Sequence, residues 1–160
     1  MYEVKNVKTF HGHDGGCWEC TLYCNGKRVA IVTEDGWGGE LQFNWLTSNR
    51  TICGVCDASK ALDAHCLTLP KWELYDGEMT HMTADIHVGD LVNAFLQTKD
   101  LKKMLKKVTV YVDGALRCYK VGPDRLDEKG RATIKDHFPK GVILNDLTID
   151  EAMVYYKKAA

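Results

Sequence analysis

With 160 residues, 45% of them hydrophobic and 27% charged, the chain has the make-up of an ordinary globular domain, and this length suffices for a fold that buries about 70% of its unfolded surface. Twenty-one basic residues against 22 acidic ones leave a net charge of −1, which argues against the basic face of a general nucleic-acid binder and against an acidic DNA mimic. No apolar run approaches the ~18 residues of a membrane span, and the opening Met1–Lys5 does not read as an export signal. A cytoplasmic protein with no membrane contact is the expectation, and its seven cysteines are then reduced thiols rather than a disulfide framework.

Alternation of apolar and polar residues marks a first strand over Glu3–Phe10. In a second, Trp18, Cys20, Leu22 and Cys24 share a face, opposed by Glu19, Thr21 and Tyr23. Asn25-Gly26 supplies the two positive-φ positions of a type I′ turn, after which Lys27–Glu34 returns antiparallel. The looser turn Asp35-Gly36-Trp37-Gly38-Gly39 leads to a fourth strand in which Leu41, Phe43 and Trp45 alternate with polar residues. Leu62, His65 and Leu69 recur at helical spacing with Val55 and Ala58, predicting a helix over 56–67 that stops before Pro70.

Pro70–Thr83 reads as loop. A second helix opens near Asp85 with Val88, Leu91, Val92, Phe95 and Leu96 on one side. The polar triplet Gln97-Thr98-Lys99 suggests a break, with Asp100 capping a further helix over Leu101–Lys106. Asp113-Gly114 between Val108–Val112 and Ala115–Val121 is the strongest hairpin signal in the chain. A helix over 125–138 is weakened by Gly130. Val142–Leu144 is a short apolar strand or connector, and Asp146 or Thr148 caps a last helix through Tyr156. The result is an α+β fold in a single domain of residues 1–160. An antiparallel meander (1–46) packs with a mainly helical stretch (50–106), followed by a β-hairpin (107–121) and a helical C-terminal part (124–160).

Gly15-Gly16, Leu22-Tyr23, Asn25-Gly26-Lys27, Val29-Ala30 and Asp35-Gly36 with Gly38-Gly39 together resemble a family of small uncharacterised bacteriophage and prophage proteins. These open with a Phe-x-Gly, Gly-rich strand and a Leu-Tyr-x-x-Gly-Lys-x-Val-Ala hairpin. The resemblance continues through Leu69-Pro70, Leu91-Val92, the Lys-rich stretch to Val112, and Ile143-Leu144-Asn145, so it spans most of the chain. Its motifs are turn and packing signatures and bring no activity with them. They imply a phage setting, in which small accessory proteins bind and disable host machinery or immune signals, and a non-enzymatic anti-defence binder in the host cytoplasm is the functional expectation.

The chemistry-bearing residues fit that expectation better than catalysis. Cys17-x-x-Cys20 and Cys53-x-x-Cys56 have the spacing of paired zinc knuckles, but a strand through the first pair sends its sulfurs to opposite faces, so buried thiols are expected and no cofactor. The alternative is a zinc- or thiol-dependent small enzyme using Cys53, Cys56 and the loop of His11 and His13; Cys53 and Cys56 stand at a helix start, where unpaired N–H groups activate thiols. No Gly-x-Ser-x-Gly, His-x-x-x-His or Walker pattern is present, so no catalytic residue is assigned. Trp37, set among glycines at a loop tip, is a natural contact anchor unless it folds back over its own sheet. Trp72 and Tyr75 form a second aromatic patch, His11 and His13 a polar loop, and Lys103 and Lys106 belong to a basic cluster that also suits a helix C-terminus. The expected partner is a host protein or a nucleotide-like small molecule rather than nucleic acid. Exposed edges of the meander also allow a homodimer.

Overall fold

The computed structural model describes residues 1–11, 16–46, 56–73 and 77–159, which form two compact units, Met1–Phe95 and Leu96–Ala160. In the first, strands β1 (Tyr2–His11), β2 (Gly16–Cys24), β3 (Lys27–Glu34) and β4 (Gln42–Trp45) pair in chain order as one antiparallel sheet. The expected type I′ turn joins β2 to β3, with φ of 50° at Asn25 and 77° at Gly26. Cys20 lies opposite Val32 and Leu22 opposite Ala30, and all four are buried, so the predicted inward face of this hairpin is the real one.

β1 carries an irregularity the alternation did not reveal. Val4 and Val7 are both buried although an odd spacing sends residues of a regular strand to opposite faces. Asn6 takes a φ of 55° and the β1–β2 register shifts between Lys5 and Lys8. The resulting bulge restores both valines to the core.

Helix α1 (Asp57–Cys66) buries Leu62 and Cys66. Its cap is Cys56, whose Sγ accepts a hydrogen bond from Ser59 N at 3.4 Å. The stretch expected as loop carries a minimal ladder, β5 (Trp72–Glu73) with β6 (Met79–Thr80); two-residue strands show no periodicity to read. Helix α2 (Ala84–Met104) is capped by Thr83, whose Oγ1 accepts from Ile86 N at 3.3 Å, and it runs unbroken across the unit border. The break expected at Gln97-Thr98-Lys99 is absent, and Asp100 lies inside the helix instead of capping a new one. None of these residues is Gly or Pro, and the propensity penalty of one Thr, under about 0.7 kcal/mol, does not stop a helix.

In the second unit β7 (Val108–Val112) is the central strand, flanked antiparallel by β8 (Ala115–Tyr119) and β9 (Val142–Ile143). Asp113 and Gly114 take φ of 48° and 82°, as the hairpin signal requires, and Val108 N extends the pairing to Val121 O at 2.9 Å. Val108, Val110 and Val112 pack with Leu126, Ile143 and Phe138. A second cluster gathers Leu101, Leu144 and Ala152 with Tyr111 and Tyr155.

Helix α3 (Glu128–His137) starts later than the residue pattern suggested because Asp127 caps it, accepting from Gly130 N at 2.7 Å. Helix α4 (Ile149–Ala159) is opened by a capping box: Thr148 N donates to Glu151 Oε2 at 2.9 Å and Glu151 N to Thr148 Oγ1 at 3.3 Å. Of the two expected caps the structure uses Thr148, while Asp146 pairs with Arg131 at 2.9 Å. Among the described residues no helix is long and apolar enough to cross a membrane.

Candidate functional site

The connection between β3 and β4 is the most tightly specified exposed feature of the first unit. Gly36 and Gly38 adopt φ of 78° and 73°, positions that an L side chain strains. Asp35 organises the turn from both ends of its carboxylate: Oδ1 accepts from Trp37 N at 3.0 Å and Oδ2 from Gln42 Nε2 at 3.0 Å. Glu34 Oε1 accepts from Gly36 N at 3.1 Å, and Cys17 Sγ donates to the Asp35 carbonyl at 3.0 Å. The turn holds Trp37 70% exposed, so its ring is not folded over the core.

The same connection forms one wall of a cleft against the first turns of α2. This cavity, about 290 Å³, is lined by Trp18, Glu34, Leu41, Asp85, Gly89 and Asn93 among others. Asp85 is tied to the connection by a hydrogen bond from the Leu41 backbone, which favours its charge, yet its pKa is raised: burial acts first, then the negative charges of Glu40, Glu34 and Asp63. Sequence reasoning missed this cleft, since its residues lie far apart along the chain. Gly89, in the middle of a helical pattern, was the one available hint.

A third feature is a ring cluster. Tyr2 lies 5.0 Å from His65 and 6.4 Å from His87, and the two histidines are 5.4 Å apart between centroids. Burial pushes the Tyr2 hydroxyl well above the ordinary tyrosine range, reinforced by its hydrogen bond with Cys24. His87 Nε2 is buried with no hydrogen-bond partner among the described residues. Burial, followed by the neighbouring His65, lowers the His87 pKa, while Asp90 acts the other way. His87 therefore stays neutral in the fold where an unfolded chain takes up a proton. Stability from this group is complete above the unfolded pKa of about 6.5 and falls as the pH drops below it. The groups that face it are His65 on α1, Tyr2 on β1 and Asp90 on its own helix. Wild-type protein is expected to lose more stability than His87→Phe between about pH 7.5 and 5.5 in denaturant titrations; parallel losses would refute the assignment.

The sequence-derived candidates fall as follows. His11 is exposed at the end of β1, and Trp72 is 40% exposed in β5. His13, Tyr75 and Cys53 lie outside the described residues. Lys103, in the last turn of α2, and Lys106, just beyond it, are exposed in the second unit, where they complement the negative end of the helix dipole. Cys17, Cys20 and Cys56 are buried. Burial raises the Cys20 pKa to about 11, helped by Glu19, which makes it a poor nucleophile. Among the described residues no group of three or more His, Cys, Asp or Glu is arranged to hold a metal ion. Compared with models of known protein families, with curated proteins and with solved structures, the chain matches none.

Proposed function

We propose that this is a non-enzymatic accessory protein of phage or prophage origin that acts in the host cytoplasm by binding a host protein, in the manner of an anti-defence factor. The observation that carries the reading is Trp37, 70% exposed on a turn whose backbone is fixed by Asp35 and Glu34. A large aromatic presented by a rigid turn loses little conformational entropy on docking and supplies much contact area. Of the two partner classes suggested by the sequence, a protein is favoured over a nucleotide-like signal. Carboxylates line the adjoining cleft, and they repel phosphate.

The test is affinity capture from bacterial host lysate with wild-type protein and Trp37→Ala. A partner held by the wild type and weakened about 30- to 1,000-fold in the variant is the expected result, corresponding to the ~2–4 kcal/mol of an aromatic anchor. Identical captured sets would sink the proposal.

A further inference from the structure

Gly89 poses a question that the fold does not answer. It sits inside α2, where glycine is among the least favourable residues. Its φ is not positive, and a Cβ placed on it would meet nothing within 4 Å. Neither backbone conformation nor close packing demands the missing side chain. Its consequence is room: Gly89 forms part of the wall of the cleft that Trp18 and Asp85 also line.

The chemistry around that room has one sign. Glu34 and Asp85 line it, Glu40 adds its field to Asp85, and among the described residues no lysine or arginine lines it. The carboxylates are mutually repulsive there, and a cation entering the cleft would relieve them. Trp18 offers an aromatic surface of the kind that attracts guanidinium and ammonium groups. A volume of about 290 Å³ is at the small end of ligand pockets, which run from about 300 to 1,000 Å³, and suits the end of one side chain better than a nucleotide.

We infer that the cleft of Trp18, Glu34, Asp85 and Gly89 is a receptor for an organic cation, the guanidinium or ammonium of a basic side chain on the partner protein. The inference deepens the Trp37 reading and rests on it for the source of the cation. Trp37 meets the partner's surface while the adjoining cleft takes up an arginine or lysine from it, and a charge-assisted hydrogen bond to Asp85 or Glu34 fixes the register.

The full chain, labelled with nitrogen-15, is titrated at constant ionic strength with N-acetyl-arginine amide, N-acetyl-lysine amide, spermidine and, as an anionic control, AMP. The expected result is saturable shifts at the Gly89 and Leu41 amides and the Trp18 indole, half-complete at the order of a few millimolar for the arginine or lysine amide, as befits a fragment-sized ligand. Asp85→Asn and Gly89→Leu should keep the wild-type spectrum elsewhere and weaken the response by about tenfold or more. Trp37→Ala should titrate like the wild type, because Trp37 does not line the cleft.

Absence of saturation by either amide, an undiminished response in Gly89→Leu, or saturation by AMP would overturn the inference. Spermidine binding about 100-fold tighter than either amide would overturn the protein source and point to a free polyamine. The two readings fail separately: lysate capture indifferent to Trp37→Ala leaves the titration standing, and a silent titration leaves the capture result standing.

Discussion

Asn145→Leu is expected to lower the stability of the C-terminal unit by about 2 kcal/mol, the sum of two half-buried backbone groups, Thr109 N and Leu105 O, left without their side-chain partner. The Asn145 Oδ1 accepts from Thr109 N at 2.7 Å, and its Nδ2 donates to the carbonyls of Leu105 at 2.9 Å and Lys107 at 3.0 Å. The last carbonyls of α2 are covered by the turn that follows, Leu105 N donating to Leu101 O at 2.9 Å and Lys107 N to Met104 O at 2.9 Å, which leaves the carbonyls of that turn itself in need of donors. The amide joins the chain just beyond that end to the start of β7. Thr109 beside it is fully buried, its hydroxyl within reach of the carbonyls of Met104 at 3.0 Å and Lys107 at 3.2 Å, so water has poor access to the Thr109 amide, whereas the Lys107 carbonyl lies at the surface.

Asn145→Asp distinguishes acceptor from donor: it keeps the bond from Thr109 N but sets a charge against two carbonyls, so it too is expected to destabilise. All four tryptophans, Trp18, Trp37, Trp45 and Trp72, belong to the first unit, so indole fluorescence does not report this effect. Hydrogen exchange at the Thr109 and Val110 amides does. Exchange free energies within about 0.5 kcal/mol of wild type in Asn145→Leu would show the clamp to be dispensable.

How much of this was legible beforehand depends on the range of the interaction. Asn25-Gly26 and Asp113-Gly114 are readable because few dipeptides tolerate two successive positive φ values; the second sets the register of the whole β7–β8 pair, whereas that of β2–β3 shifts by one residue between Leu22 and Tyr23. The burial of Cys20 and Leu22 followed from alternation alone. The bulge at Asn6 was masked because Val4 and Val7 could be fitted to a strand only loosely, and the odd spacing was its trace. The continuity of α2 through Gln97-Thr98-Lys99 is hidden in the sequence because a polar triplet imitates a break, whereas a helix is interrupted by backbone effects such as a Pro or by a competing cap. Asn145 lay beyond sequence reasoning altogether: its partners are backbone atoms 36 to 40 residues away, and backbone leaves no signature in residue type. The site was half legible. Trp37 announced itself among glycines, while the cleft behind it needs β2, β3 and α2 to be brought together first.

Leu22→Ala is expected to destabilise the N-terminal unit by about 2–5 kcal/mol, and it provides the contrast that gives the Trp37 experiment its meaning. Leu22 is fully buried and stands between Val4 on β1 and Ala30 on β3, so truncation removes transfer free energy and leaves a void that paired strands cannot easily close. Trp37→Ala, at an exposed turn, should stay within about 0.5 kcal/mol of wild type. Both substitutions can reduce partner capture, by different routes. The core variant binds less only to the extent that its unit unfolds, so its capture should recover on moving from 37 °C towards ~15 °C, near the stability maximum typical of such domains. The turn variant lacks the contact itself and should stay deficient at both temperatures. Fluorescence-monitored unfolding of the first unit supplies the independent measure of stability. A Leu22→Ala change below about 1 kcal/mol would mean that the sheet closes over the missing side chain and that this hairpin is not the packing centre inferred for it.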